Sequence, residues 1–236
     1  MPVQKQERLK SGILGLDELI NGGFIPNSTT LIAGRTGTGK TIACMQFLYN
    51  GALKYNEPGV FVTVEESAEE LKEDMMASFN WDLTELENKK LLSIVELGVD
   101  EQSLTDIKHA LYQQINQIEA KRLALDSISV FEIFGRDIYK IRHEILDLLH
   151  LLNTEKVTSF VTAQIPETNP EALSTAEMIE FVVDNIIKLD YYPILKGHTR
   201  AITIRKMRRT SHSTDVHPFK FKENGIEIRG NPILLP

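Results

Sequence analysis

Residues 29–53 read TTLIAGRTGTGKTIACMQFLYNGAL. A β-rich run, Thr29 to Gly34, passes into a glycine-rich turn, and the turn opens directly into an apolar helical stretch beginning at Lys40. Gly34, Gly39, Lys40 and Thr41 match the spacing glycine, four residues, glycine, lysine, then serine or threonine. Each position has a physical task. Gly34, Gly37 and Gly39 let the chain turn tightly and bring bare N–H groups against phosphate oxygens, and the partial positive charge of the helix start faces the same place. Arg35, Thr36 and Thr38 complete the loop assigned to the phosphates. Lys40 is placed to reach the β- and γ-phosphates of a nucleotide, and Thr41 to offer its hydroxyl to Mg²⁺. Cys44, one turn into the helix, reads as packed rather than reactive.

Outward from this stretch, short β-rich runs alternate with amphipathic helices, the pattern of a parallel sheet covered on both faces. The strand candidates are residues 29–34, 59–65, 90–97, 122–126 and 157–164. Leu104, Ile107, Leu111, Ile115 and Ile118 recur at helical steps after a Ser103–Asp106 pair that resembles a capping box. Ile138, Ile141, Ile145, Leu148 and Leu152 form a second such stripe, and both read as core contacts. From about residue 180 the texture becomes a series of runs expected to be antiparallel strands. The expected architecture is α/β, a mainly parallel twisted sheet flanked by helices with a C-terminal antiparallel β extension, in one domain over residues 1–236.

Composition narrows the function classes. With 236 residues, 42% hydrophobic and 25% charged, the chain can bury a large core. A net charge of −7 provides no global attraction for nucleic acid. No apolar run approaches the roughly 18 residues of a membrane span. The lone Cys44 excludes an internal disulfide, and the polar start MPVQKQERLK lacks a secretory apolar stretch, so a cytoplasmic location is expected.

A phosphate loop by itself implies binding. Hydrolysis also needs an acidic metal partner, a group that orients water and a cation that meets the developing charge. Asp126, at the tip of the apolar run RLALD, is the candidate metal partner, through water. Glu65 and Glu66 follow the buried-looking run GVFVTV and are candidates for the base. They also suit the start of the next helix, where Ser67 and Glu70 form a second capping-box pattern.

Together these motifs resemble the RecA-like ATPases, and within them the KaiC family. The likeness runs from SGILGLDELINGGFIPNSTTLIAGRTGTGKT through QFLYNGA, EES, LALDS and FVVDNIIKL to KMRRTSH and HPFKF…GIEI, nearly the whole chain. The resemblance implies a RecA-like P-loop fold, ATP and Mg²⁺ as ligands, and a homo-oligomer, with a hexameric ring favoured, in which ATP sits between neighbours. It makes Glu65 the usual base, with Glu66 beside it. It also sends Lys206, Arg208 and His212 to the nucleotide of the adjacent subunit. Strand alternation adds that Ile202, Ile204, Lys206 and Arg208 share one face. A solvated, positively charged strand end is the alternative. Arg209 stands where the family often has glycine. Gln164 resembles the glutamine that senses the γ-phosphate in RecA-like strands. The region after Asp126 lacks the adjacent serine and threonine that the clock protein phosphorylates, so autokinase activity is not implied.

Three functions follow as alternatives: a slow ATPase acting as a nucleotide-driven oligomeric switch on an unknown protein partner, a nucleotide-binding regulator with little turnover, and a RecA-like protein on single-stranded DNA. The third is disfavoured. The loop IPETNPEALSTAE carries Glu167, Glu171 and Glu177 and no cation, against a single Arg136 in FEIFGRD. None of the six histidines falls in a recognised zinc spacing.

Overall fold

The computed structural model describes residues 7–64, 66–97, 104–128, 138–167, 173, 179–194, 197–229 and 231–233. Nine strands form one sheet: β1 (Thr29–Gly34), β2 (Gly59–Thr63), β3 (Leu92–Glu96), β4 (Arg122–Asp126), β5 (Thr158–Gln164), β6 (Asn185–Ile194), β7 (Gly197–Met207), β8 (Val216–Lys222) and β9 (Gly225–Ile228). The described helices are α1 (Leu16–Leu19), α2 (Lys40–Tyr55), α3 (Ala68–Phe79), α4 (Leu83–Asn88), α5 (Leu104–Gln117), α6 (Ile138–Thr154) and α7 (Ile179–Val182). The sheet order is β3-β2-β4-β5-β1-β6-β7-β8-β9. The pairs from β3 to β6 are parallel and those from β6 to β9 antiparallel.

Burial explains the strand runs. β1 and β2 are buried at every position, as strands covered on both faces must be. One apolar cluster joins α2 to one face of the sheet through Phe47, Phe61, Phe160 and Ile187; the other joins α5 and α6 to the opposite face through Leu111, Leu148, Leu125 and Val161. Phe47 stacks on Phe160 at 4.0 Å, and Phe24 meets Phe160 edge-on at 5.2 Å. Both helical stripes read from the sequence supply core residues: Ile107, Leu111 and Ile115 on α5 with Ile118 in the turn after it, and Ile145, Leu148 and Leu152 on α6. Ser67 and Glu70 do form a capping box at α3. Ser103 lies outside the described residues.

The apolar reading of RLALD hides a buried cation. Arg122 is 0% exposed and donates to Glu57, to Phe47 O at 2.8 Å and to Lys10 O at 2.9 Å. It ties the base of β4 to α2 and to the N-terminal segment. Gly51 on α2 leaves room for it, since an added Cβ there would collide with the guanidinium.

Two expectations are corrected. The stretch 181–192 is not all antiparallel strand: it begins in α7, and β6 is parallel to β1 before pairing antiparallel with β7. The alternation along β7 also breaks. Ile204 pairs with Ile187 but Lys206 pairs with Ile186, so Arg205 is an extra, bulged residue. Met207, not Lys206, joins Ile202 and Ile204 in the α2-side cluster, and Lys206 turns to the other face.

Candidate functional site

Parallel pairing brings the C-terminal ends of the core strands level. Gly34 pairs with Gln164 and Thr63 with Asp126, and with Leu125 opposite Val161 the β2 and β4 ends stop two residues short of β1 and β5, so all four strands finish at the same edge of the sheet. Open α/β sheets bind ligands at this end. A cavity of about 350 Å³ lies there, with Thr36, Gly37, Lys40 and Thr41 on the loop side and Thr63, Glu66, Asp126 and Gln164 on the strand side.

The loop geometry explains its residue types. Gly37 and Gly39 have φ of 74° and 103°, the left-handed region that favours glycine. A Cβ on Gly39 would also lie 2.6 Å from the Phe221 ring. Thr38 is buried and donates to Arg35 O at 2.7 Å, so its hydroxyl braces the turn. Lys40 Nζ curls back to Gly34 O (3.0 Å) and Arg35 O (3.1 Å), across the concave side of the loop. The Arg35 side chain points away from the cavity. It donates to Asp190 Oδ1 from Nε and Nη2 at 3.0 and 2.6 Å, and its Nη1 lies 3.5 Å from Glu167. What Arg35 could offer a phosphate is therefore its main-chain N–H. Burial pushes the Asp190 carboxyl upward, but hydrogen bonds from Arg35, Lys188 and the Tyr191 N–H outweigh it and hold Asp190 below the usual range.

Thr41 Oγ1 donates to Asp126 Oδ2 at 2.5 Å, and Thr162 Oγ1 donates to Oδ1 at 2.5 Å. Hydroxyl and carboxylate oxygens beside a phosphate loop are the hard donors Mg²⁺ prefers. That ion needs only one or two protein oxygens when phosphates and water supply the rest, so Thr41 and Asp126 fit it. Among the described residues, no group of three or more His, Cys, Asp or Glu side chains could hold another metal. Gln164 Nε2 donates to Thr36 Oγ1 at 2.9 Å, placing the candidate sensor against the loop. Glu66 lines the cavity, and its main chain is tied twice to Thr63: Thr63 Oγ1 donates to Glu66 O at 2.7 Å and accepts from Glu66 N at 3.3 Å. Glu65 lies outside the described residues, as do Arg136, Glu171 and Glu177. Cys44 is fully buried, and burial pushes its thiol well above the ordinary range, so it is a packed residue.

Three residues at the loop were not singled out from the sequence. Tyr191 Oη donates to Gly37 O at 2.6 Å, and Arg200 reaches the same oxygen from Nε and Nη2 at 3.3 Å. The Arg200 guanidinium lies over the Tyr191 ring (5.1 Å) and the Phe221 ring (4.6 Å). Tyr191 and Arg200 are register partners across the β6–β7 hairpin. No local spacing marks them, since Tyr191 and Arg200 meet only through this register and Phe221 comes from β8.

Lys206, Arg208 and His212 are elsewhere. Along β6, Leu189 is level with Gly34 and Asn185 with Thr30, and Met207 pairs with Asn185. Lys206, level with Ile186, and Arg208, whose N–H donates to Asp184 O, therefore sit toward the opposite end of the sheet, three to five residues or roughly 10 to 17 Å along the strands from Gly34 before the loop is counted. Lys206 Nζ donates to Glu180 O (2.8 Å) and Val183 O (2.7 Å), and Arg208 Nη2 to Phe181 O (3.0 Å), so both sit on the carbonyls around α7. Burial, with Arg208 nearby, holds the Lys206 ammonium below its usual range. Arg209 takes φ of 62°, the left-handed conformation glycine adopts without strain. His212 Nδ1 lies 2.8 Å from Ser213 O.

The comparisons bear on the family and the fold. Residues 9–232 match the family described as ATPase: KaiC. A UPF0273 protein of Methanocaldococcus jannaschii is 33% identical over 97% of this chain and 98% of its own length. Circadian clock protein KaiC2 of Synechocystis is 36% identical over 92% of this chain, and this chain spans 39% of that protein. The crystal structure of a KaiC-like protein from Pyrococcus horikoshii superposes with a TM-score of 0.87 at 39% identity, covering 95% of this chain and 99% of that one. A family match over most of the sequence and a superposition of nearly whole chains carry the same conclusion: this chain belongs to the KaiC ATPase family and has its RecA-like fold.

Proposed function

We propose that the protein is a slow, Mg²⁺-dependent ATPase, a single domain over residues 1–236, acting in an oligomer as a nucleotide-driven switch on a protein partner. The observation that carries this reading is Thr41 and Asp126 in hydrogen-bond contact beside a glycine loop, in a cavity that Glu66 and Gln164 also line. Loop N–H groups and Lys40 bind the phosphates. Thr41, and Asp126 through water, would hold Mg²⁺, which would supply neutralisation of the phosphate charge. Glu65, with Glu66 beside it, orients water and takes its proton as the oxygen attacks the γ-phosphorus and the bond to the β-phosphate oxygen breaks, giving ADP and phosphate. Gln164 responds to the γ-phosphate. The Arg200 and Phe221 stack offers a flat cationic surface beside the loop for the base.

Among the described residues that line the cavity the cation is Lys40, which is assigned to the phosphates, and a further cation is needed to meet the transition state. Lys206 and Arg208 lie at the far end of their own sheet and, together with His212, serve the nucleotide of a neighbouring subunit, which makes the working unit a closed ring, with a hexamer favoured. No helix among the described residues is long and apolar enough to cross a membrane. A cytoplasmic location accords with this reading.

Phosphate release by wild type and Glu65→Gln tests the chemistry. Equal turnover would remove Glu65 from its role, and undetectable turnover in wild type, with tight nucleotide binding, would leave a nucleotide-binding regulator. Mass measurement with and without ATP and Mg²⁺ tests assembly, and a monomer under both conditions would overturn the shared site.

A further inference from the structure

β5 touches the site twice on its α2-facing side, through Thr162 and two residues on through Gln164. Gln164 meets the loop. The Thr162 hydroxyl donates to the carboxylate of Asp126, and the residue is fully buried. Packing does not require a hydroxyl at this point in a strand, because valine fills nearly the same volume. The aspartate, however, needs restraint. It ends β4, and the described ladder to β5 stops one residue earlier, at Leu125 and Val161. Its side chain has two soft torsions, and two hydroxyls fix them: Thr162 on Oδ1 and Thr41 on Oδ2, each at 2.5 Å. Each carboxylate oxygen keeps further lone-pair capacity for a metal-bound water.

We propose that Thr162 is the positioning residue of the metal carboxylate, setting the rotamer of Asp126 so that Oδ2 stays turned to Thr41 and to the divalent cation. The inference rests on the reading of Thr41 and Asp126 as the Mg²⁺ pair. Thr162 itself contacts neither nucleotide nor metal. Partners that orient a metal ligand typically change metal affinity by about 10–100-fold when lost.

The test is metal binding, read apart from turnover. Mn²⁺ occupancy in the presence of ADP is followed by electron paramagnetic resonance, and the affinity for a fluorescent ADP analogue is measured with and without Mg²⁺. Thr162→Val is expected to weaken Mn²⁺ binding by about tenfold, to leave metal-free ADP affinity unchanged, and to be rescued by Thr162→Ser. Should the valine variant fail to fold, Thr162→Ala set against Thr162→Ser isolates the hydroxyl, and equal metal affinity in that pair overturns the proposal. Wild-type Mn²⁺ binding in folded Thr162→Val, together with weakened binding in Asp126→Asn, overturns the role of Thr162 and leaves the metal site standing. Unweakened binding in Asp126→Asn instead overturns the metal reading on which the proposal depends.

Discussion

The two ends of the sheet are built to different rules. At the C-terminal ends of the parallel strands, side chains from the loop after β1, from α2, β4 and β5 bond to one another around a cavity: Thr41 to Asp126, Thr162 to Asp126, Gln164 to Thr36. At the other end, Lys206 and Arg208 rest on main-chain carbonyls around the four-residue α7. One end is a cross-braced anion cradle supplied with carboxylates, and the other is a cationic cluster with no phosphate loop near it. On the proposed reading, a site that uses both draws them from two chains.

Breaking the cradle should have the largest effect. Lys40→Ala is expected to lower ATP turnover by about 10³-fold and to weaken nucleotide binding, read by phosphate release and by titration with a fluorescent analogue. Breaking the far end should act on turnover alone. Arg208→Ala should lower it by about 10²-fold with nucleotide affinity retained, and mixing it with Lys40→Ala should recover part of the activity. No recovery in an assembly shown to mix would place both halves of the site in one chain.

Smaller effects sharpen the picture of the cradle. Arg200→Ala removes the guanidinium packed against Tyr191 and Phe221 and should cost about 1 kcal/mol of nucleotide affinity, seen as a several-fold rise in Kd. The smallest concerns pH. Because Asp190 is held below the usual aspartate range, its pairing with Arg35 stabilises the fold fully above that range and is lost as pH falls through it, near ~3.9 and lower. Thermal unfolding of Asp190→Asn should therefore lie below wild type at neutral pH and converge with it on acidification. A constant gap would show that the pairing does not govern the loop's anchorage.

Much of this was legible in the chain. The phosphate loop, the strand carrying Asp126, the Ser67–Glu70 cap and the placement of Gln164 beside the loop all follow from local spacing or from the family likeness, and local rules govern them: glycine at positive φ, a carboxylate at a strand tip, a hydroxyl at a helix start. What misled was a single extra residue. Period-two alternation put Lys206 with Ile202 and Ile204, and a bulge at Arg205, recorded only in the pairing with β6, exchanged it for Met207. Arg35 was read with the phosphates, yet its guanidinium is held by Asp190, 155 residues on. Arg122 gave no sign of burial because its partners, Glu57, Phe47 O and Lys10 O, come from three separate segments.

The sequence by itself determined that a nucleotide's phosphates can be held at the start of α2 and that the chain carries the parts of a KaiC-type ATPase. These are properties of contiguous residues, whose conformational preferences act over a few positions. Only the tertiary structure decided which parts meet. Strand order and register place Asp126, Thr162 and Gln164 at one end with the loop, and Lys206 and Arg208 at the other. Side-chain chemistry acts over a few ångströms, whereas strand register, which residue spacing does not record, moves a group by more than ten.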